Sequence, residues 1–199
     1  SSDYSEITEE KLKEELENIT IKVKEAKDTL DKAFKRTVKA TALTSAPKNV
    51  VVVLGESFGL WPFLPEYDGL HLVEQHKNLL KSDKTSYVQN MLANGDGTIK
   101  AINGLLTGLP DAGLQENYLP NSFKLKYKSG IGYIMKQLGY KTVFWYGGYA
   151  GWQNVGAIVK AQSFDEFHCA DEFQGVEKNS WGCLDEELFK QITKYMEKQ

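Results

Sequence analysis

Asn49-Val50-Val51-Val52-Val53-Leu54-Gly55-Glu56-Ser57-Phe58-Gly59 is the stretch on which the fold turns. Val50 to Leu54 is apolar without alternation, the pattern of a strand covered on both faces, as in a parallel sheet flanked by helices. Gly55-Glu56-Ser57 ends the run, and in open α/β sheets ligands collect just beyond the carboxyl ends of the strands, so a functional loop is expected there. Working outward, apolar positions at Ile99, Ile102, Leu105 and Leu106 predict a helix from Thr98 to Leu106, opening at Gly97-Thr98 and closed by Gly108 and Pro110. Ser129 to Leu138 reads as a second helix ended by Gly139. Lys141 to Tyr146 reads as a second buried strand ending in Gly147-Gly148, and Gly182 to Lys198 as a further amphipathic helix. The class is α/β.

Upstream of Pro47 the texture differs. Leu12, Leu16, Ile19, Val23, Ala26, Leu30 and Ala33 alternate in steps of four and three among Glu and Lys, which is a heptad seam. One helix of about eight to ten turns is expected, with Thr8 as its N-cap and Ala46-Pro47 as its end. It reads either as a stalk or oligomerisation helix, through which the chain would self-associate, or as an amphipathic helix lying on its own domain. The domain division is therefore 1–46, helical linker or stalk, and 47–199, the globular part.

Composition excludes several functions. The chain carries a net charge of −3, and Arg36 is its single arginine, so the bidentate grip on phosphate and guanine that nucleic-acid readers use is almost unavailable and nucleic acid is not an expected partner. No run reaches the roughly 18 apolar residues that cross a bilayer. Cys169 and Cys183 form neither a CxxC pair nor a zinc-finger spacing.

Two chemistries compete at the first strand end. Gly55-Glu56-Ser57-Phe58-Gly59 fits G-x-S-x-G and would make Ser57 an esterase-type nucleophile, with His168 and Asp165 as the late triad candidates. An elbow should run directly into a helix, however, and Leu60-Trp61-Pro62-Phe63-Leu64-Pro65 places two prolines there. The alternative makes Glu56 a hard oxygen ligand for a divalent cation. Its companion is Thr98 in Asn94-Gly95-Asp96-Gly97-Thr98, at a helix N-terminus where free N–H groups and the helix dipole favour an anion. A threonine hydroxyl is a poor nucleophile unless a metal or base lowers its pKa, which is what a cation held by Glu56 supplies. The bland alternative has Thr98 merely capping its helix and Glu56 exposed at a strand end. His71 and His76 read as surface or loop histidines.

Asn49 to Phe58, Gly97-Thr98 and Leu106-Thr107-Gly108-Leu109-Pro110 resemble, in order and spacing, the lipoteichoic acid synthase family of phosphoglycerol transferases, within the sulfatase and alkaline phosphatase superfamily. Gly139-Tyr140-Lys141-Thr142, Tyr146-Gly147-Gly148-Tyr149, Trp152-Gln153-Asn154 and Phe164-Asp165-Glu166-Phe167 continue the likeness to the end of the chain. The resemblance implies an alkaline-phosphatase-like mixed sheet flanked by helices. It also implies a manganese, magnesium or zinc ion on Glu56 and Thr98, with Thr98 forming a phosphorylated intermediate and manganese the first choice. Gly97, Trp152 and Asn154 become substrate-binding candidates, although the family's Trp-Asn-Arg stretch stands here as Trp152-Gln153-Asn154 without its arginine.

The formylglycine motif of sulfatases proper, C/S-x-P-x-R, does not occur, which disfavours sulfate-ester hydrolysis. The family's Asp-His ligand pair and further histidine do not occur either, so the chain corresponds to the N-terminal half of such a catalytic domain and is expected to bind metal weakly and turn over little alone. By the same resemblance the substrate is a phospholipid or glycan headgroup, the setting is the outer face of a bacterial cytoplasmic membrane, and the membrane is reached through segments outside this chain. The rival of a different class is a non-catalytic extracellular module for binding or assembly.

Overall fold

The computed structural model describes Glu14, Glu17, Asn18 and residues 46–88 and 91–198. The heptad seam lies outside the described residues; Glu14, Glu17 and Asn18 are helical and exposed. The chain divides into two compact units, Ser1–Val52 and Val53–Gln199, and the architecture below is that of the second.

Its centre is a β–α–β unit. Strand β1 (Val143–Tyr146) and strand β2 (Glu166–Cys169) pair in parallel, with Phe144 opposite Phe167 and Trp145 opposite His168. Among the described residues the remaining regular elements are helices α1 (Glu74–Leu80), α2 (Thr98–Thr107), α3 (Ile131–Gln137), α4 (Val155–Ala161) and α5 (Asp185–Met196), with short 3-10 turns between them. Alternation along the strands sorts the side chains onto two faces. On one face Phe144, Phe167 and Cys169 meet Ile102 and Leu106 of α2 and Val155, Ile158 and Val159 of α4, forming the core. On the other, Trp145 stacks on His168 at 4.4 Å between ring centroids and meets Tyr195 of α5 edge-on at 5.3 Å. Acidic Asp185, Glu186 and Glu187 in the first turn of α5 and Lys194 in its last complement the helix dipole.

The start of the unit is stapled by Asp165. Its carboxylate accepts from the backbone N–H and the hydroxyl of Thr142, both at 2.9 Å, and from Lys136 of α3 at 2.6 Å. Helix α2 stops where glycine allows it: Gly108 has φ +71°, and a Cβ there would lie 2.3 Å from the Ser129 carbonyl oxygen.

The expected helices at 98–106, 129–138 and 182–198 are all present, somewhat shorter in the second and third cases, and the strand expected at 141–146 is β1. Val50 to Leu54 departs from expectation. These five residues are 47–67% exposed and form no strand. An apolar run becomes a buried parallel strand only with a neighbour to share its backbone hydrogen bonds and layers to cover both faces, and among the described residues the sheet contains β1 and β2 alone. No helix among the described residues is long and apolar enough to cross a membrane.

Candidate functional site

Glu56 and Thr98 come together. Glu56 lies in a turn after Gly55, and its Oε1 accepts a 2.8 Å hydrogen bond from Ser57 Oγ and a 3.2 Å hydrogen bond from Thr98 Oγ1. Thr98 is the first residue of α2. The N-cap is the extended Gly97, and no side chain caps the helix, so the Thr98 hydroxyl is turned to the carboxylate rather than to its own backbone. The bland capping role is thereby replaced by a contact between residues far apart in sequence. Space beside Gly97 is open: a Cβ there would meet nothing within 4 Å.

The loop leading into α2 is held by charge. Lys100 pairs with Asp96 at 2.6 Å and with Asp111 at 3.0 Å. The Lys100 ammonium holds the Asp96 carboxyl below its usual range. Asp111 is lowered first by the Gly113 N–H and then by Lys100, while Lys100 itself is raised by both carboxylates. This fixes the chain just ahead of Gly97 and spends the nearest lysine on structure.

Tyr146 stands at the carboxyl end of β1. Burial raises its phenol pKa first, and charge on Glu56 and then on Cys169 raises it further. It leans on Trp152 at 6.4 Å between centroids and covers Gly148, where a Cβ would lie 2.6 Å from the phenol ring. Gly148 therefore leaves room for Tyr146, a role that sequence reading passed over because nothing in a lone Tyr-Gly-Gly says where the ring folds.

Trp152-Gln153-Asn154 is wound into an uncommon conformation. Gln153 and Asn154 both have positive φ, 49° and 56°, and consecutive left-handed non-glycine residues persist only where neighbours hold them. The holder is Asn117, which is 2% exposed. Its Nδ2 donates to the Gln153 carbonyl at 2.9 Å and its own carbonyl accepts from Asn154 Nδ2 at 3.3 Å, while Tyr118 OH donates to Gln153 Oε1 at 3.2 Å. Asn117 Oδ1 in turn accepts from Asn103 Nδ2 of α2 at 3.0 Å, and the same Nδ2 reaches Glu116 at 3.3 Å. A buried polar chain thus ties the Thr98 helix to the Trp152 turn. The one visible signal was Asn103, a polar residue among the apolar positions of α2.

The serine-hydrolase triad does not assemble. Both ring nitrogens of His168 are engaged, Nδ1 by Glu172 at 2.8 Å and Nε2 by Glu166 at 3.1 Å, and Asp165 is the staple of the sheet. Ser57 has φ 55° and hydrogen-bonds Glu56, and the chain then enters a 3-10 turn at Trp61–Phe63 instead of a helix. His71 is exposed beside Glu74, and His76 packs on Phe58 at 5.3 Å.

Glu56 and Thr98 suit a divalent cation in kind, both being hard oxygen donors that already converge. They are two members of a shell, not a whole one: among the described residues no three His, Cys, Asp or Glu side chains cluster as metal ligands.

A solved protein of the alkaline phosphatase superfamily from Vibrio parahaemolyticus is similar to 53% of this chain at 26% identity, with a TM-score of 0.47, and the chain spans 26% of that protein's length. The sequence model of the sulfatase family matches residues 48–199. With well over half of its length under that match, the chain belongs to the sulfatase family.

Proposed function

We propose that this chain contributes the nucleophile and one metal ligand of a phosphoryl-transfer site, with Thr98 as the attacking group and Glu56 as the ligand beside it. The observation that carries the reading is the 3.2 Å contact between Thr98 Oγ1 and Glu56 Oε1 at the N-terminus of a ten-residue helix. Membership of a family whose enzymes act on phosphoryl or sulfuryl esters supports the reaction class. The absence of a C/S-x-P-x-R motif in the sequence favours phosphorus over sulfur.

Glu56 and Thr98 would hold a divalent cation, manganese by the family resemblance, and that cation supplies the lowering of hydroxyl pKa that a threonine nucleophile needs. The chain's own groups do the rest. Oγ1 gives up its proton and bonds to phosphorus as the ester oxygen leaves with its electron pair and takes up a proton. A hydroxyl of glycerol, a sugar or water then bonds to phosphorus, the P–Oγ1 bond breaks with its electrons on Oγ1, and the proton that hydroxyl loses restores the Thr98 hydroxyl. The unpaired N–H groups at the start of α2 face the anionic phosphoryl oxygens. Trp152 and Tyr146 offer an aromatic wall to the remainder of the substrate. The resemblance supports a phosphoglycerol or related headgroup on a phospholipid or glycan at the outer membrane face of a bacterium, while the Asn154 position without arginine argues for a contact different from the family's.

The test uses the full-length gene product with bis-p-nitrophenyl phosphate and manganese. Mass spectrometry of acid-quenched protein is expected to find one added phosphoryl ester on Thr98. Thr98→Ala should abolish it, and Glu56→Gln should weaken manganese binding in calorimetry by at least tenfold, the loss of one charged ligand. Unchanged turnover by Thr98→Ala would sink the reading and favour a binding module.

A further inference from the structure

Charge is segregated along this chain. Between Glu116 and Asp165 there is no acidic residue, while six lysines fall in the interval. Three of them are spent locally: Lys136 pairs with Asp165 at 2.6 Å, Lys141 with Glu166 at 2.5 Å, and Lys160 lies over the Phe167 ring at 5.8 Å. Lys124, Lys126 and Lys128 are exposed and take part in no ion pair among the described residues.

These three lysines alternate with Phe123, Leu125 and Tyr127. Leu125 is 65% exposed and Phe123 38% exposed. The backbone beneath them is pinned from inside the fold. Gln162, which is 2% exposed, donates from its side-chain amide Nε2 to the carbonyls of Ser122 and Leu125 and accepts the Tyr127 N–H on Oε1 at 3.0 Å, and the Tyr127 and Ser122 hydroxyls meet at 3.0 Å. A preceding 3-10 turn, Pro120–Phe123, sets the entry. The loop is thus a preformed platform whose cationic and apolar side chains project into solvent together, so little ordering entropy opposes binding.

From this we infer that Phe123–Lys128 is a docking surface for an anionic lipid bilayer. A chain of net charge −3 is repelled as a whole by an anionic surface, and only a segregated patch of unpaired lysines reverses that locally. Lysine rather than arginine, with Leu125 and Phe123 free to enter the headgroup region, fits a membrane interface better than a nucleic acid or other soluble polyanion, which offers no apolar phase for them. The inference is independent of the catalytic reading, and its test uses no activity.

The 199-residue chain is sedimented with phosphatidylcholine vesicles with and without phosphatidylglycerol, at low and high salt. Binding is expected only to vesicles containing phosphatidylglycerol and should fade with salt. Replacing Lys124, Lys126 and Lys128 by Gln together is expected to lower affinity about 100-fold, whereas Leu125→Ser, with all lysines kept, is expected to lower it about tenfold. A control replacing Lys81, Lys84 and Lys194 by Gln should change little. Equal loss in that control would reduce the effect to overall charge and overturn the inference. So would full binding by Leu125→Ser together with complete competition by soluble polyphosphate, which would assign the patch to a polyanion instead. All six lysines and Leu125 are on the exposed surface, so circular dichroism of each variant should match the parent.

Discussion

Asn117 is the residue on which two parts of the site depend. It links Asn103 on the Thr98 helix to Gln153 and Asn154, whose left-handed backbone has no other evident cause. Removing its amide leaves the Gln153 carbonyl and the Asn103 amide short of a partner in the interior, which costs on the order of 2–3 kcal/mol. Asn117→Ala is therefore expected to lower the urea midpoint at constant m by that amount. Amide exchange of residues 153–155 should rise more than that of the α4 interior; equal change in both would mean that Asn117 supports the fold in general and not the turn. Sequence made Glu56 and Thr98 candidates through residue type, the glycines before the helix and the family resemblance, and their proximity came only with the fold. Asn117 and Tyr146 were not legible, since an asparagine in a loop and a tyrosine at a strand end acquire a role only from what tertiary packing places beside them.

At the scale of elements, α5 is fastened to the sheet by a small titrating group. Glu166 on β2 accepts from Lys141 at 2.5 Å, Tyr195 of α5 at 2.8 Å and His168 at 3.1 Å. Lys141 first, then Tyr195 and His168, hold its carboxyl down at about 2 against an ordinary 4.5. A depressed carboxyl stabilises above its unfolded pKa, and that contribution is lost as pH falls through the folded one. The thermal midpoint is therefore expected to drop between pH 4.5 and about 2. Glu166→Gln should be less stable by about 1 kcal/mol at pH 6, the upper end for a solvent-accessible pair, and should fall less steeply in acid. His168 has the opposite sign. Burial of its ring favours the neutral form, but Glu172 and Glu166 outweigh this and raise its pKa above 6.5. Its contribution is present below 6.5 and is lost as pH rises through the folded value, so His168→Gln should flatten the alkaline side of the same profile. A profile of Glu166→Gln that parallels the parent would show that α5 is held by the Trp145 and Tyr195 rings alone. β2 is not legible as a strand in the sequence: Glu166-Phe167-His168-Cys169 alternates over four residues only, and its half-buried polar members, Glu166 and His168, meet Tyr195 of α5.

For the whole molecule the conspicuous feature is apolar surface. Val51 and Val53 are 66% and 67% exposed in a β-branched run that pairs with no strand among the described residues. Unpaired backbone beside apolar side chains is a template for association between copies. Val51→Lys with Val53→Lys is expected to shift sedimentation-velocity profiles at micromolar concentration toward monomer. Because both positions are exposed, the melting midpoint should move little, by no more than about 0.5 kcal/mol in stability. Unaltered association would place the contact elsewhere on the chain.

What the sequence determined by itself is what depends on neighbours along the chain. The α/β class, the boundaries of α2 between Gly97 and Gly108 and the apolar run of β1 follow from periodicity, glycine punctuation and residue chemistry, whereas the contact between Thr98 and Glu56, 42 residues apart, is tertiary. The tertiary structure decided what depends on company. Val50 to Leu54 has the apolarity of a central strand, yet a strand exists only where another strand takes its hydrogen bonds. The strained turn at Gln153 and Asn154, and the exposure of Lys124, Leu125 and Lys126 above a buried Gln162, arise likewise from contacts between distant residues, which no local pattern encodes.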